Sequence, residues 1–393
     1  MKLGILGGSF APVHNGHIFL AEKALAQLKL DRVVFVPAYR SPFKLDAQGM
    51  EISAKDRIDM LAASITGDHR FAIDICEIRR EGVSYTIDTL EDIVERYLPD
   101  GKPVLIIGDD VAVDFPKWRD SGKILKLADI AVAHRVDSKT VNYPFAHITI
   151  ENEILDVSSH EIRRMINEGG DWQGLVPHGA AAIIKERSLY GYNGNSRHEP
   201  PPDSVIQRVE TAARETLSTE RFLHSRQTAI QAFDLCRRFG LEPLDGYLAG
   251  IAHDLAKQLD NKSMLKIVKT AGVDISDLEM DKPNLLHGKA AAVLIRERFS
   301  IHNEDILEAV ACHTSGSENM GPLAKVIYIA DKTEATRTIE PALRKMCRED
   351  SLDNILIAVI EKTITKLQAK GQDLSQDTIL LLNKIRKEKI ENN

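Results

Sequence analysis

Gly7-Gly8-Ser9-Phe10-Ala11-Pro12-Val13-His14-Asn15-Gly16-His17 decides how the first half of this 393-residue chain reads. The stretch follows a short apolar run, Lys2–Gly7. It precedes Ile18–Leu28, where Ala21, Ala24, Leu25 and Leu28 recur at helical spacing. Gly7 and Gly8 let backbone come close to a ligand. Amides at the start of a helix attract phosphate. His14 and His17 there can donate to phosphoryl oxygens as charge develops. Positioning and electrostatic stabilisation of that kind are what phosphoryl or nucleotidyl transfer mainly requires. Two histidines near a turn are more often incidental, but the strand before, the helix after and the Gly-Gly-Ser-Phe lead-in reverse those odds.

Outward from this turn, Val33–Pro37, Phe71–Ile78, Val104–Gly108 and Ile130–Ala133 read as strands separated by helical stretches. Strands alternating with helices predict an α/β domain with a Rossmann-like parallel sheet covered on both faces. Helices close this half near Ser159–Asn167 and Ala180–Arg187. Before the first of them, Ser158 and Glu161 stand at capping-box spacing in Val157-Ser158-Ser159-His160-Glu161-Ile162-Arg163. That helix start offers amides and hydroxyls to phosphate, and Arg163 adds a fixed charge.

The run from Gly191 to Asp203 is rich in Gly, Asn and Pro and has no apolar period. It reads as a linker, giving domains at 1–192 and 204–393 with the linker at 193–203. Beyond it the strand signal disappears. Leu248, Ile251, Ala252 and Leu255 share a helix face, as do Val326, Ile327 and Ala330, and Leu352–Leu367 is helical, so the second domain is expected to be all-α. It carries His224, the pair His253-Asp254, His287, His313 and Asp331. His253 and Asp254 fall on an expected apolar helix, where unpaired polar groups are costly. A helical bundle can gather such residues at one interior point, and imidazole with carboxylate suits Fe, Mn, Co or Zn.

Composition bounds the rest. Apolar residues make up 43% of the chain and the net charge is −7, which argues against a general nucleic-acid binder. Cys76, Cys236, Cys312 and Cys347 show no CxxC spacing and read as reduced thiols. No apolar run approaches the ~20 residues of a membrane span, and no signal-peptide pattern is seen. The expectation is a cytoplasmic protein with no membrane and no nucleic-acid partner; a homo-oligomeric state stays open.

The GGSF…HxGH turn is joined by Val36-Pro37, Pro42-Phe43-Lys44, Arg57, Met60-Leu61, Ser84-Tyr85-Thr86-Ile87-Asp88-Thr89-Leu90, Gly108-Asp109-Asp110, Trp118, Arg135 and the SSxxIR element. Through these, residues 1–192 resemble the bacterial nicotinate-nucleotide adenylyltransferases of the HxGH nucleotidyltransferase superfamily. The resemblance implies transfer of AMP from ATP to nicotinate mononucleotide, with Mg²⁺ and release of pyrophosphate, by direct attack at the α-phosphorus. It implies that His14, His17, Ser158, Ser159 and Arg163 hold the ATP phosphates and that Lys44 assists from a following loop. Ser84, Tyr85, Thr86 and Trp118 would form the pyridine pocket and Asp109 would meet the nucleotide sugar. Gly7, Gly8, Ser9, Phe10, Gly108 and Arg135 complete the implied binding set. Ala11 stands where Asp is usual, Ser41-Pro42-Phe43-Lys44 where Pro-Pro-His-Lys is usual, and His160 where Thr is usual. Nicotinamide mononucleotide, or another phosphate acceptor such as phosphopantetheine, therefore stays an alternative substrate.

In the second half, Arg221-Phe222-Leu223-His224-Ser225, Ala252-His253-Asp254-Leu255-Ala256-Lys257, Leu286-His287-Gly288, Cys312-His313-Thr314 and Tyr328-Ile329-Ala330-Asp331-Lys332 with Arg337 follow in order. Through them, residues 204–393 resemble the HD-type symmetrical diadenosine-tetraphosphate hydrolases of bacteria. The resemblance implies one ion on His224, His253, Asp254 and Asp331, a second on His287 and His313, and Asp254 as the bridge. Iron is the ion often associated with such domains. Water would attack phosphorus with metal assistance, releasing two ADP, and Lys257 and Arg337 are candidate phosphate contacts. Another nucleotide phosphohydrolase, or a nucleotide-sensing module, is the alternative. The whole chain reads as a bifunctional enzyme.

Overall fold

Val33, Val34, Phe35 and Val36 are all fully buried, as expected of a central strand covered on both faces. The computed structural model describes residues 1–40, 52–134, 143–151, 153, 157–194, 204–371 and 374–391. The chain divides into two units, Met1–Pro200 and Pro201–Asn393.

In the first unit, β1 (Leu3–Gly8), α1 (Asn15–Leu28), β2 (Arg32–Pro37), α2 (Ala54–Ser64), β3 (Phe71–Ile73), α3 (Cys76–Arg80) and α4 (Thr86–Tyr97) come first. They are followed by β4 (Val104–Gly108), α5 (Asp109–Ala112), α6 (Ser121–Leu127), β5 (Asp129–Ala133), β6 (Ile148–Ile150), α7 (Ser159–Glu168) and α8 (His178–Glu186). The six strands are parallel in the order β3-β2-β1-β4-β5-β6. The order reverses between β1 and β4, and in open parallel sheets ligands bind at the carboxyl ends of strands flanking such a switch point. Gly7, Gly8 and Gly108 end those two strands.

Two expectations are corrected. The strand placed at Phe71–Ile78 stops at Ile73. Asp74 accepts the Cys76 N–H at 2.9 Å, turning the chain into α3, and its other oxygen takes Arg96 at 2.7 Å and Tyr97 at 3.1 Å. That local hydrogen bonding outcompetes the ladder. The second correction is β6, which the sequence did not suggest; its three residues are too few to show a period.

The second unit is helical: α9 (Val205–Thr216), α10 (Thr219–Phe239), α11 (Pro243–Ala252), α12 (Asn261–Thr270), α13 (Asp277–Asp281), α14 (His287–Phe299), α15 (Glu304–Cys312), α16 (Pro322–Thr333), α17 (Pro341–Glu349), α18 (Leu352–Ala369) and α19 (Gln376–Glu391). Gly250 lets α11 lie against α10, since a Cβ there would fall 2.5 Å from Ala229 Cα. The helix ends at Ala252, so His253 and Asp254 sit in the turn that follows it rather than on its face. Among the described residues no helix is long and apolar enough to cross a membrane.

Candidate functional site

The first unit holds a cavity of about 1270 Å³ at the carboxyl ends of β1 and β4. Two helices begin at its wall. His14 is the extended-backbone cap of α1, and its N–H donates to His17 Nδ1 at 3.2 Å. The two imidazoles stack at 3.7 Å between centroids. Ser158 caps α7, accepting the Glu161 N–H at 3.2 Å. Gly16 allows α7 to approach α1: a Cβ there would meet Val157 Cγ1 and His14 Nδ1 at 3.0 Å. Two helix starts and two imidazoles thus converge where an anion gains from both dipoles.

The turn between β1 and α1 is held from outside. Arg57 donates to the Ser9 carbonyl at 2.8 Å, Arg163 to the Ala11 carbonyl at 2.7 Å, and Ser159 Oγ to the Pro12 carbonyl at 3.0 Å. Phe10, in the left-handed region at φ 48°, packs edge-on against His17 at 5.0 Å.

Ser84, Tyr85, Thr86 and Trp118 line the same cavity. Ser84 Oγ accepts the Tyr39 N–H at 3.0 Å, and the Arg119 guanidinium lies 4.6 Å from the Tyr85 ring centre. Gly7, Gly8, Ser9, Phe10, Gly108, Ser158, Ser159 and Arg163 are lining residues too. Asp109, expected at the nucleotide sugar, opens α5. It is buried with its carboxylate 3.6 Å from the His134 ring, and Gly108 and Asp110 form the cavity wall beside it. Lys44 and Arg135 lie outside the described residues. Sequence reasoning assigned no role to Arg57 or to Glu77. Glu77 is a buried lining residue whose carboxyl burial pushes up, and it accepts from Thr89 Oγ1 at 2.6 Å.

The second unit brings together all six expected ligands. Two triads of donor atoms are close enough to share an ion: His224 with His253 and Asp254, and Asp254 with His287 and His313. Asp254 Oδ2 lies 3.5 Å from His253 Nε2, while its Oδ1 lies 3.3 Å from His287 Nε2 and 3.7 Å from His313 Nε2. The carboxylate therefore faces both triads. Asp331 Oδ1 is 3.0 Å from His224 Nε2 and 3.7 Å from His253 Nε2.

The donors fit a divalent ion on structural grounds. His253, His287 and His313 each turn Nδ1 to a carbonyl three residues back, on Gly250, Asn284 and Val310, at 2.7–2.8 Å. Carbonyl acceptors fix the tautomer and leave the Nε2 lone pairs pointing inward. His253 Nε2 is buried without a hydrogen-bond partner. His224 is oriented instead by Glu334, whose Oε1 is 3.2 Å from Nδ1. Burial pushes the His313 imidazole down to about 4, so it is neutral near pH 7. Burial alone would raise Asp254 and Asp331. The adjoining imidazoles, His253 first and then His287 and His313, outweigh it for Asp254; Lys332 and His224 do so for Asp331. Both carboxyls end well below their usual range.

Four cations rim this cluster. Arg221 pairs with Asp254 at 2.8 Å, Lys332 with Asp331 at 3.2 Å and Arg337 with Asp331 at 2.9 Å, and Lys257 Nζ is 3.0 Å from His287 Nε2. Sequence reasoning named Lys257 and Arg337 and missed Arg221, Lys332 and Glu334. A third group of potential donors, Asp74, Cys76 and Asp92, already holds a cation, since Arg96 reaches both carboxylates at 2.7 and 2.8 Å.

A phosphate cradle at a sheet's switch point and a histidine–aspartate centre in a helical unit define the class: a nucleotidyltransferase-type domain followed by an HD domain. The cytidylyltransferase-like family model matches residues 5–165 and the HD domain model matches residues 221–336. The probable nicotinate-nucleotide adenylyltransferase of Borreliella afzelii is 40% identical over 190 residues, covering 48% of this chain and 97% of its own. That of Treponema pallidum subsp. pallidum is 37% identical over 204 residues, covering 48% and 99%. Through this half the chain belongs to the nicotinate-nucleotide adenylyltransferase family. A solved structure from Clostridium acetobutylicum, described as a predicted HD superfamily hydrolase involved in NAD metabolism, is 31% identical with a TM-score of 0.44, covering 46% of this chain and 96% of its own. Plasmodium falciparum nicotinic acid mononucleotide adenylyltransferase is 18% identical with a TM-score of 0.41, covering 49% and 98%.

Proposed function

We propose that the chain is a bifunctional enzyme: residues 1–192 adenylate nicotinate mononucleotide, and residues 204–393 hydrolyse diadenosine tetraphosphate to two ADP. The observation that carries the first activity is the convergence of the α1 and α7 helix starts, His14 and His17 on the cavity that also holds Ser84–Thr86 and Trp118. A phosphate oxygen of nicotinate mononucleotide attacks the α-phosphorus of ATP, and the bond to the bridging oxygen breaks with pyrophosphate leaving. His14, His17 and the helix amides donate to the phosphoryl oxygens, where charge grows. Arg163 and Arg57 keep the Ser9–Pro12 turn in register with them. Ser84, Tyr85, Thr86 and Trp118 enclose the pyridine ring. Mg²⁺ carried on the ATP phosphates supplies further charge neutralisation and needs few protein ligands.

For the second activity the supporting observation is Asp254 facing both triads. When bound, a pair of Fe, Mn, Co or Zn ions supplies Lewis acidity and an activated water. His224, His253, Asp254 and Asp331 hold one ion; His287, His313 and Asp254 hold the other. Three carboxylates, Asp254, Asp331 and Glu334, face four cations, Arg221, Lys257, Lys332 and Arg337. The centre is therefore net positive already, and a divalent ion adds to that charge, which suits a polyphosphate chain. Those cations orient the tetraphosphate so that one water adds across its central P–O–P linkage and two ADP leave. A parallel assay of wild type, His17→Ala and Asp254→Ala tests the assignment. Adenylyl transfer should be lost in the first variant alone and ADP release in the second alone; an Asp254→Ala chain that still releases ADP would refute the hydrolase reading.

A further inference from the structure

Thr314 ends the segment Cys312-His313-Thr314, and the mechanism above does not use it. Its Oγ1 lies 3.1 Å from His287 Nε2 and 3.2 Å from His313 Nε2. Those nitrogens are 3.1 Å apart, and Asp254 Oδ1 is 3.3 and 3.7 Å from them. Both rings spend their Nδ1–H on backbone carbonyls, so both Nε2 atoms turn lone pairs to the same point. Two donors face that point: the Lys257 ammonium, 3.0 Å from His287 Nε2, and the Thr314 hydroxyl. A cation takes both nitrogen lone pairs, and Thr314 still has oxygen lone pairs to offer. Donor atoms each about 2.1 Å from a shared ion sit roughly 3.0 to 3.4 Å apart. The separations among His287 Nε2, His313 Nε2 and Thr314 Oγ1 fall in that range.

We infer that Thr314 Oγ1 is an oxygen donor to the ion held by His287, His313 and Asp254. The inference rests on the metal-centre reading of the second unit. With Thr314 this half-site offers two nitrogens and two oxygens, a donor set open to Fe, Mn, Co or Zn, in which the neutral hydroxyl is the weakest donor. The test titrates the metal-stripped full-length chain with Mn²⁺, read by EPR of the free ion, and with Zn²⁺ against a chromophoric chelator. Thr314→Val, which keeps the shape and removes the hydroxyl, should weaken the second Mn²⁺ about tenfold. It should leave the first Mn²⁺ and the first Zn²⁺ close to wild type. Thr314→Ser should restore the second Mn²⁺, and Thr314→Ala should repeat the valine result if the valine chain melts differently when stripped. Unchanged binding of the second Mn²⁺ in Thr314→Val, or equal loss at both half-sites, overturns the inference. A wild-type chain that binds no ion at either half-site overturns the metal-centre reading itself, before any variant is compared.

Discussion

In the first unit the candidate reactive groups border an open cavity, and the turn that carries them is fixed through its backbone: Arg57, Arg163 and Ser159 bond the carbonyls of Ser9, Ala11 and Pro12. In the second unit the candidate groups pack against one another, with His253, Asp254, His287 and His313 all at or below 2% exposure; His14 is as buried in the first, but it stands with His17 at the cavity wall. An open cradle must admit two substrates and can let the ligands bring the charge. A buried cluster of carboxylates and imidazoles has to be compensated before any ligand arrives, because unpaired charge in the interior costs several kcal/mol. Lys257, Lys332, Arg221 and Arg337 provide that compensation. The first site should therefore respond to substitution by losing rate with little change in stability, and the second by losing both.

Asp254→Asn breaks the comparison most directly. It removes charge from both triads at once and strands Arg221. Metal content should fall at both half-sites, and ADP release should drop by about a thousandfold, the scale of losing a preorganised electrostatic group. Adenylyl transfer should be unchanged. Retained metal content, measured by elemental analysis of the purified chain, would count against Asp254 as the shared ligand. His17→Ala is the counterpart in the open site. Removing one donor to the developing charge should lower kcat for adenylyl transfer roughly a hundredfold, with the melting temperature and metal content held. A fall in metal content in that variant would mean that the two sites are coupled.

Smaller effects separate holding from reacting. Arg57→Lys cannot reproduce the guanidinium bond to the Ser9 carbonyl, and losing a hydrogen bond to a charged group costs about 1.5–3 kcal/mol. The turn should loosen and adenylyl transfer should fall about tenfold, with KM for ATP moving as much as kcat. Glu334→Gln is the matching change in the buried centre. It keeps shape but weakens the hold on His224 Nδ1, and changes at partners of a metal-bound histidine typically cost 10–100-fold in affinity. That loss should fall on the first ion and spare the second, which isothermal titration with Mn²⁺ can resolve.

The candidate residues of both sites were legible in the sequence because their spacing is local: His14 and His17 lie three positions apart, and His253-Asp254 is a dipeptide. What it did not reveal are partners joined only by the fold. Arg57 reaches Ser9 across 48 positions and Glu334 reaches His224 across 110. Glu334 carried a usable signal, three residues after Asp331, the distance at which side chains on a helix become neighbours. The turn after β4, which brings the Asp109 carboxylate to the cavity-lining His134 ring, is likewise encoded by no period. The strand after Phe71 was overextended because Ala72–Ile78 is apolar enough for a strand, while the Asp74 side chain diverts the backbone.

The mildest prediction concerns pH and turns on His224. In the metal-stripped chain burial alone would lower this imidazole, but its hydrogen bonds to the Asp331 and Glu334 carboxylates outweigh burial, so it is raised above its ordinary value of 6.5. A raised imidazole contributes stability that is full below the unfolded value near 6.5 and is lost as pH rises through the higher folded value. An ion reverses the sign, because its binding needs the Nε2 lone pair and protons compete for it. The gain in melting temperature on adding saturating Mn²⁺ should therefore be larger at pH 8 than at pH 6. At pH 6 the stripped chain keeps its protonated His224 pairs and the ion must displace that proton. Glu334→Gln should narrow the difference between the two pH values, since it removes one of the two carboxylates that hold the proton. Scanning calorimetry of the full chain at both pH values, with chelator and with Mn²⁺, decides it. A metal-induced gain that is the same at both, or larger at pH 6, would mean that His224 is not among the groups the ion deprotonates.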